Sequence, residues 1–495
     1  MVTSAADGAA ISGPSPQDLP DAGIKGTAWI GLQSSVVNFA SLAVFIVLGR
    51  LLDPRAFGLV ASASVVILFL RILVDGGISK ALIQREHLTD DVVDSAFWAA
   101  VVFGVVLTVI VIAAAPLVAR LFHEPSLTNV VRALSSVLIL ASLDRTQSAL
   151  LDRRMAFRKQ AARGTAAALL SAGAAIGAAV AGWGVWALVV QSITFELVTV
   201  VFLWSLSGWH PRFRFSRTHL SELLPFGGRY VGIVVTQYLN LNVDNLLIGV
   251  FLGPIALGIY VVAYRILIVS NEALVVTITR VGLATFSRLQ RDEAELKRAF
   301  YTVARLSAAV ALPLFAGLAV LAPQAISIVF GSKWDRAAAV LQVLCIAGIA
   351  QAITSFTHPL VVALGKLRNE LRWNLAACGL QMIGFGAAVH FGIVAVAWSL
   401  AGATTILVPA RIVFMRHMAG ISIRSYFVQL TGPTVSMAIM ILAVLCVDRG
   451  LTSQGIIVRF ISEIAAGAVC YVASLTLLDR KTARLLAYVL RSLHP

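Results

Sequence analysis

Seven arginines sit inside long apolar runs of this 495-residue chain: Arg71, Arg145, Arg229, Arg265, Arg280, Arg305 and Arg411. Such runs also hold the acids Asp75, Asp144, Glu196, Asp244 and Glu272. A charge at the middle of a membrane span costs about 2.5–3.5 kcal/mol on the insertion scale, so such residues face a bundle interior or a wet cavity. Arg71, Arg145, Arg229 and Arg305 fall in the half of their runs nearer the basic loops. Together they predict a basic vestibule suited to a phosphate or diphosphate, which needs cations and donors when it leaves water. Arg265 lies deeper and belongs to the same candidate substrate-binding set. Asp244, Glu196 and Glu272 are the acids able to take up a proton or sodium ion for coupling. Gln237, Asn240 and Asp244 follow i, i+3, i+7 spacing on one helix face, with Asn245 beside them. That stripe reads two ways: Gln237, Asn240 and Asn245 as cargo ligands, or all of it as interhelical glue. Arg71 and Asp75, spaced i, i+4, read either as part of the site or as a structural pair. Arg280 and Arg411 are near span ends and are expected to snorkel.

The elements that must position these residues are membrane helices. The chain is 59% hydrophobic and 13% charged, where soluble domains carry about 25% charged residues. Apolar runs predict an all-α polytopic membrane protein with about fourteen spans, near 28–48, 58–79, 94–116, 128–150, 164–181, 184–206, 226–250, 255–284, 300–321, 338–363, 372–391, 393–414, 428–447 and 456–478. With the N-terminus cytoplasmic, the inner loops and tails hold 24 Lys and Arg and the outer loops 8. This asymmetry also sets the C-terminus inside. It accounts for the net charge of +15 without nucleic acid.

Leu52-Asp-Pro-Arg-Ala-Phe-Gly-Leu59 returns as Leu252-Gly-Pro-Ile-Ala-Leu-Gly-Ile259. Six spans separate the copies, so both lie on the same face, as in parallel repeats. The expected organisation is a disordered tail (1–25), an N-lobe of spans 1–6 (26–207), a basic loop (208–225), a C-lobe of spans 7–12 (226–415), spans 13–14 (416–478) and a cytoplasmic tail (479–495). Leu151–Arg163 and Arg288–Phe300 read as interfacial segments on the anionic leaflet. Gly182-Trp183-Gly184 and Phe391-Gly392 read as tight turns with interfacial aromatics. The four cysteines read as packing residues, with a Cys446–Cys470 pair left open. There is no GxxxxGK[ST], so ATP does not drive the protein directly. No metal or cofactor is called for.

Several stretches resemble the polysaccharide-transporter family of lipid-linked oligosaccharide flippases, within the multidrug/oligosaccharidyl-lipid/polysaccharide exporter superfamily. They are Gly49–Gly58, Asp75–Arg85, Ser95–Trp98, Ala149–Arg158, Asn242–Gly249, Leu257–Arg265, Phe286–Gln290 and Phe330–Trp334. The resemblance runs in order from about residue 26 to 420. It implies two six-helix lobes around a cavity and a carrier rather than an enzyme. Its implied cargo is an undecaprenyl-diphosphate-linked glycan, moved by alternating access with an ion gradient in a bacterial cytoplasmic membrane. Implied partners are that lipid-linked glycan, membrane lipids, and polysaccharide polymerase or assembly proteins. Asp75-Gly-Gly-Ile stands where relatives often have Asp-x-Gly-Leu, so packing at that turn is expected to differ. A drug exporter of the same superfamily is the main alternative; a glycan-processing membrane enzyme is a more distant one.

Overall fold

The computed structural model describes residues 37, 40–85, 88–451 and 453–492, without the side chains of 219, 222–224, 226, 229, 233, 273–281, 283, 284 and 488–492. The expected tail at 1–25 and most of the first span lie outside the described residues. Among those described there is no strand. Twelve helices are long and apolar enough to cross a membrane, and Ala40–Leu51 is a shorter apolar helix, here α1. The others, in chain order, are α2 (Pro54–Asp75), α3 (Ile78–Gln84), α4 (Asp90–Leu121), α5 (Leu127–Arg153), α6 (Phe157–Val180), α7 (Val185–Ser207), α8 (Arg217–Leu289), α9 (Glu293–Phe330), α10 (Asp335–Thr354), α11 (Thr357–Ala363), α12 (Leu367–Ala388), α13 (Ile393–Ala419), α14 (Ile423–Gly450), α15 (Ile456–Leu478) and α16 (Arg480–Ser492).

The seventh and eighth expected spans are merged in α8, which runs 73 residues and is broken at Gly253 (φ 79°, ψ 177°). Pro254 follows that break because it starts a helix well and continues one badly. The first repeat copy does the same job. Asp53 caps α2 by accepting from the Ala56 amide at 2.8 Å, and Pro54 occupies the first helical turn. The repeated motif is therefore a helix start. Its glycines have a second role, because the two copies pack reciprocally. A Cβ on Gly58 would fall 1.6 Å from the Pro254 carbonyl oxygen, and one on Gly258 would fall 1.9 Å from that of Pro54.

The Asp75-Gly-Gly-Ile turn is equally tight. Gly76 and Gly77 both take positive φ, ending α2 and starting α3. A Cβ on Gly77 would sit 2.7 Å from the Gly227 backbone. The second glycine is thus required by backbone approach as well as by its own dihedral.

The chain divides into two compact units, Met1–Gly258 and Ile259–Pro495. The division falls shortly after the break at Gly253. Part of the basic loop expected at 208–225 is helical, since α8 begins at Arg217. In the first unit, α2, α4 and α5 enclose Leu59, Ala63, Ile67, Val111, Ala115 and Leu138. In the second, α9, α10, α13 and α14 enclose Phe300, Ala308, Phe356, Ile412 and Tyr426. Small residues in these seams let helices approach closely.

The two segments expected to be interfacial hold helix ends around tight breaks. Met155 takes φ 52° between α5 and α6, and α9 starts at Glu293, with Glu293 and Lys297 paired at 3.4 Å. Trp183 and Phe391 are exposed beside positive-φ glycines, as their turns require. The expected C-terminal tail contains α16, capped by Asp479, which accepts from the Thr482 amide at 3.1 Å. All four cysteines are free, so Cys446 and Cys470 form no disulfide.

Candidate functional site

Helices α2, α5 and α7 of the first unit bring four intramembrane charges together. Arg71 lies on α2, Asp144 and Arg145 on α5, and Glu196 on α7. Arg71 Nη1 meets Glu196 Oε1 at 2.5 Å, and Arg145 Nε lies 3.4 Å from its neighbour Asp144 Oδ1. The structural pair expected between Arg71 and Asp75 is therefore not formed. Asp75 accepts instead from the Ser79 hydroxyl at 2.6 Å, across the glycine turn. The reason is reach: α7 presents Glu196 beside Arg71 in the interior, while the chain reverses just after Asp75.

Two cavities share Arg71 and Leu68 as wall. One, of about 280 Å³, is lined by Ser64, Arg71, Ser171, Gln191, Ser192 and Glu196 among apolar neighbours. The other, of about 460 Å³, is lined by Arg71, Asp75, Arg145, Tyr230 and Tyr238 with Leu68, Ile72, Val231 and Val234. Arg71 is 26% exposed and Glu196 3%. Glu196 Oε2 is buried and finds no hydrogen-bond partner among the described residues, and the same holds for Arg145 Nε. Tyr238 is fixed by donating its hydroxyl to the Val65 carbonyl at 2.7 Å. The guanidinium of Arg71 thus stands between a buried carboxylate on one side and a roomy, partly basic cavity on the other.

The remaining sequence candidates scatter. Arg229 is helical in backbone, and its side chain is not described. Gln237 and Asn240 are exposed, whereas Asp244 on the same predicted face is buried. Asp244 Oδ1 accepts from the Asn245 amide at 2.8 Å, and Asn245 is half-buried. In the second unit, Arg265 is half-buried beside the stacked rings of Tyr260 and Tyr264, Glu272 is exposed, and Arg305 donates to the Gln429 side chain. Arg411, expected to snorkel, is buried. It donates to both Glu370 oxygens at 3.0 and 2.8 Å and to Thr357 at 2.8 Å, with Trp373 and Phe414 over its faces. Helix α12 places Glu370 within reach of Arg411, so a buried partner replaces the water that snorkelling would seek.

Sequence reasoning passed over Asp144, Tyr230, Tyr238 and Gln191 as site residues. Asp144 had a legible signal, its adjacency to Arg145 inside an apolar run. Gln191 and the tyrosines had none, since single polar residues in a span are common.

The fold and the site together define an all-helical membrane protein with a charged interior. The chain matches the family described as "Polysaccharide biosynthesis protein" over residues 47–339. It belongs to that family. It is 25% identical over 454 residues to the teichuronic acid biosynthesis protein TuaB of Bacillus subtilis, covering 90% of this chain and 94% of that one. It is 26% identical to the succinoglycan biosynthesis transport protein ExoT of Rhizobium meliloti, covering 91% and 92%. It is also 26% identical to the lipopolysaccharide biosynthesis protein WzxC of Escherichia coli, covering 71% and 72%. Among solved structures, it shares the fold of the lipid II flippase MurJ in an inward closed conformation, with TM-score 0.74, 14% identity, and coverage of 92% and 99%. An inward-facing multidrug transporter of the MOP superfamily follows at TM-score 0.61 and 16% identity, covering 78% and 94%. The fold is that of the superfamily the sequence resembles.

Proposed function

We propose that this protein carries a lipid-linked, diphosphate-bearing oligosaccharide from the inner to the outer leaflet of a bacterial cytoplasmic membrane. It does so by alternating access, as a carrier rather than an enzyme, with both termini in the cytoplasm. The observation that carries the reading is Arg71 and Arg145 on the wall of one cavity of about 460 Å³. A guanidinium fork matches a phosphate in charge and geometry, and the cost of burying both is offset when they meet. The printed names of relatives, which concern teichuronic acid, lipopolysaccharide and succinoglycan, support a surface-polysaccharide precursor as cargo. A multidrug exporter is a weaker reading, because cationic drugs would be repelled by these arginines.

Ion coupling is part of the proposal, and Glu196 is its centre. Glu196 and the cargo diphosphate are competing anionic partners for Arg71. A proton or sodium ion taken up by Glu196 changes that competition and so ties the occupancy of Arg71 to an ion gradient. Of the other acids considered, Asp244 already holds a backbone amide and Glu272 is exposed. The polymerase or assembly proteins of the same polysaccharide are the expected partners downstream.

The test is mass spectrometry of lipid-linked glycans in a deletion strain carrying wild type or Arg71→Gln. Accumulation of a diphosphate-linked oligosaccharide in the deletion strain, relieved by wild type and not by Arg71→Gln, is expected. An unchanged lipid profile in the deletion strain would overturn the cargo assignment. Full relief by a normally inserted Arg71→Gln would remove that arginine from the site.

A further inference from the structure

We propose that the second unit holds a glycan subsite in the cavity of about 520 Å³ where the end of α9, the start of α10 and the turn between α14 and α15 meet. The proposal deepens the carrier reading and rests on it. These three elements lie at one end of their helices, the end that the charge asymmetry assigns to the outside. The size is within the range of small-ligand pockets, roughly 300–1,000 Å³.

The wall is built rather than incidental. Gln324 and Ser327 come from α9, Asp335 from α10, Gln454 from the turn, and Arg459 from α15. Two carboxylates behind the wall fix two of these groups. Glu463, 1% exposed, accepts from Arg459 Nε at 3.1 Å and from Gln324 Nε2 at 3.2 Å. Asp448 accepts from the same two nitrogens, at 2.6 Å and 3.3 Å. Glu463 is buried within the apolar run of α15, where an acid is costly and normally marks a functional path. The Gln324 carbonyl oxygen is buried and without a donor among the described residues. A hydroxyl on a bound molecule would satisfy it.

The charge balance selects the ligand. Arg459 is already held by Asp448 and Glu463, and Asp335 adds a third carboxylate. Arg449, next to Asp448 in sequence, offsets part of this but does not line the cavity. A phosphate is therefore repelled here. An uncharged polyol fits: its hydroxyls can donate to Gln324 and Asp335 and accept from Gln454 and Arg459. The cargo of the proposed carrier has such a part, the sugar chain itself. This cavity then serves the glycan end of that cargo, late in transport.

The experiment uses full-length protein in detergent and isothermal titration calorimetry. The probe is a repeat-unit oligosaccharide prepared from the host's own surface polysaccharide, free of lipid and phosphate. Saturable binding is expected, unaffected by Arg71→Gln and by inorganic pyrophosphate. Gln454→Leu and Gln324→Leu are each expected to weaken it at least tenfold, which is about 1.4 kcal/mol. Gln454 is in an exposed turn, so its variant keeps the fold. No binding by wild type, binding that survives both substitutions, or equal displacement by sucrose would overturn the subsite. Any of these outcomes, with lipid-linked glycan still accumulating in the deletion strain, would leave the carrier reading standing.

Discussion

Arg411–Glu370 and Arg71–Glu196 are both arginine–carboxylate pairs of the membrane helices, and they are built to different ends. In the second unit, Arg411 and Glu370 are 5% and 7% exposed, bidentate, bonded to Thr357 and covered by Trp373 and Phe414. In the first, Arg71 holds Glu196 through one contact, lines two cavities, and leaves a carboxylate oxygen unpaired. In the sealed pair both carboxylate oxygens are taken, and the one donor left without a partner among the described residues, Arg411 Nη1, is buried. The open pair has a guanidinium face and an unsatisfied oxygen, so its partners can change. Burial alone does not mark function; incomplete satisfaction beside a cavity does.

The repeat sharpens this contrast. Counting 200 residues on from Arg71, the offset of the repeated motif, gives Asn271, whose side chain donates to Gln351 at 2.8 Å. Duplication kept the helix start and its glycines and did not keep the charge. A neutral amide pair can hold helices together but cannot attract an anion across a cavity.

The largest effect should come from breaking the sealed pair. Arg411→Ala leaves Glu370 buried with His358, at 3.0 Å, as its remaining partner among the described residues, and should cost about 3–5 kcal/mol. A detergent thermal-shift series reads this, and Arg411→Leu combined with Glu370→Leu should recover most of the loss. An Arg411→Ala protein as stable as wild type would erase the distinction between the pairs.

Next in size is Glu196→Gln, which keeps shape and removes charge. Stability should change little. Flipping into proteoliposomes should fall at least tenfold and lose its response to an imposed pH or sodium gradient. A variant that retains the wild-type gradient response would take coupling away from Glu196. Gln351→Leu tests the neutral counterpart and should cost about 0.6 kcal/mol, the mean for an interhelical hydrogen bond in a membrane, with transport unchanged. A transport defect there would mean that the second copy also works on the cargo.

The smallest effect belongs to a third pair, at the surface. Arg55 Nη2 meets Glu124 at 2.8 Å with the arginine 54% exposed. Partial burial pushes the Glu124 carboxyl up, but hydrogen bonds from Ser126 and Arg55 outweigh it and hold the group below its ordinary value. Its contribution is therefore present at neutral pH and is lost as pH falls through that depressed value. Arg55→Ala should cost under about 1 kcal/mol at neutral pH and nothing in acid. A thermal shift measured at both pH values checks the sign.

Much of this was readable from particular residues. The i, i+4 spacing of Glu293 and Lys297 is that of a helical ion pair, and the pair forms. Arg71, Arg145 and Glu196 were each legible as costly charges in apolar runs. Their pairing was not, because a sequence shows only neighbours on one helix. Arg71 therefore seemed to belong with Asp75, and Arg411 seemed to belong to water.

The sequence by itself determined that this chain crosses a membrane many times, which side its basic loops face, and that its motif is duplicated. Those properties follow from local composition, since each span must satisfy its own backbone and each loop carries its own charge. Only the tertiary structure decided which charges meet, which glycines are pressed against backbone, and which polar groups are left facing a cavity. Such contacts join residues from 41 positions apart, as in Arg411 and Glu370, to 204 apart, as in Gly258 and Pro54. Their energies depend on burial and distance, which no local stretch of sequence contains.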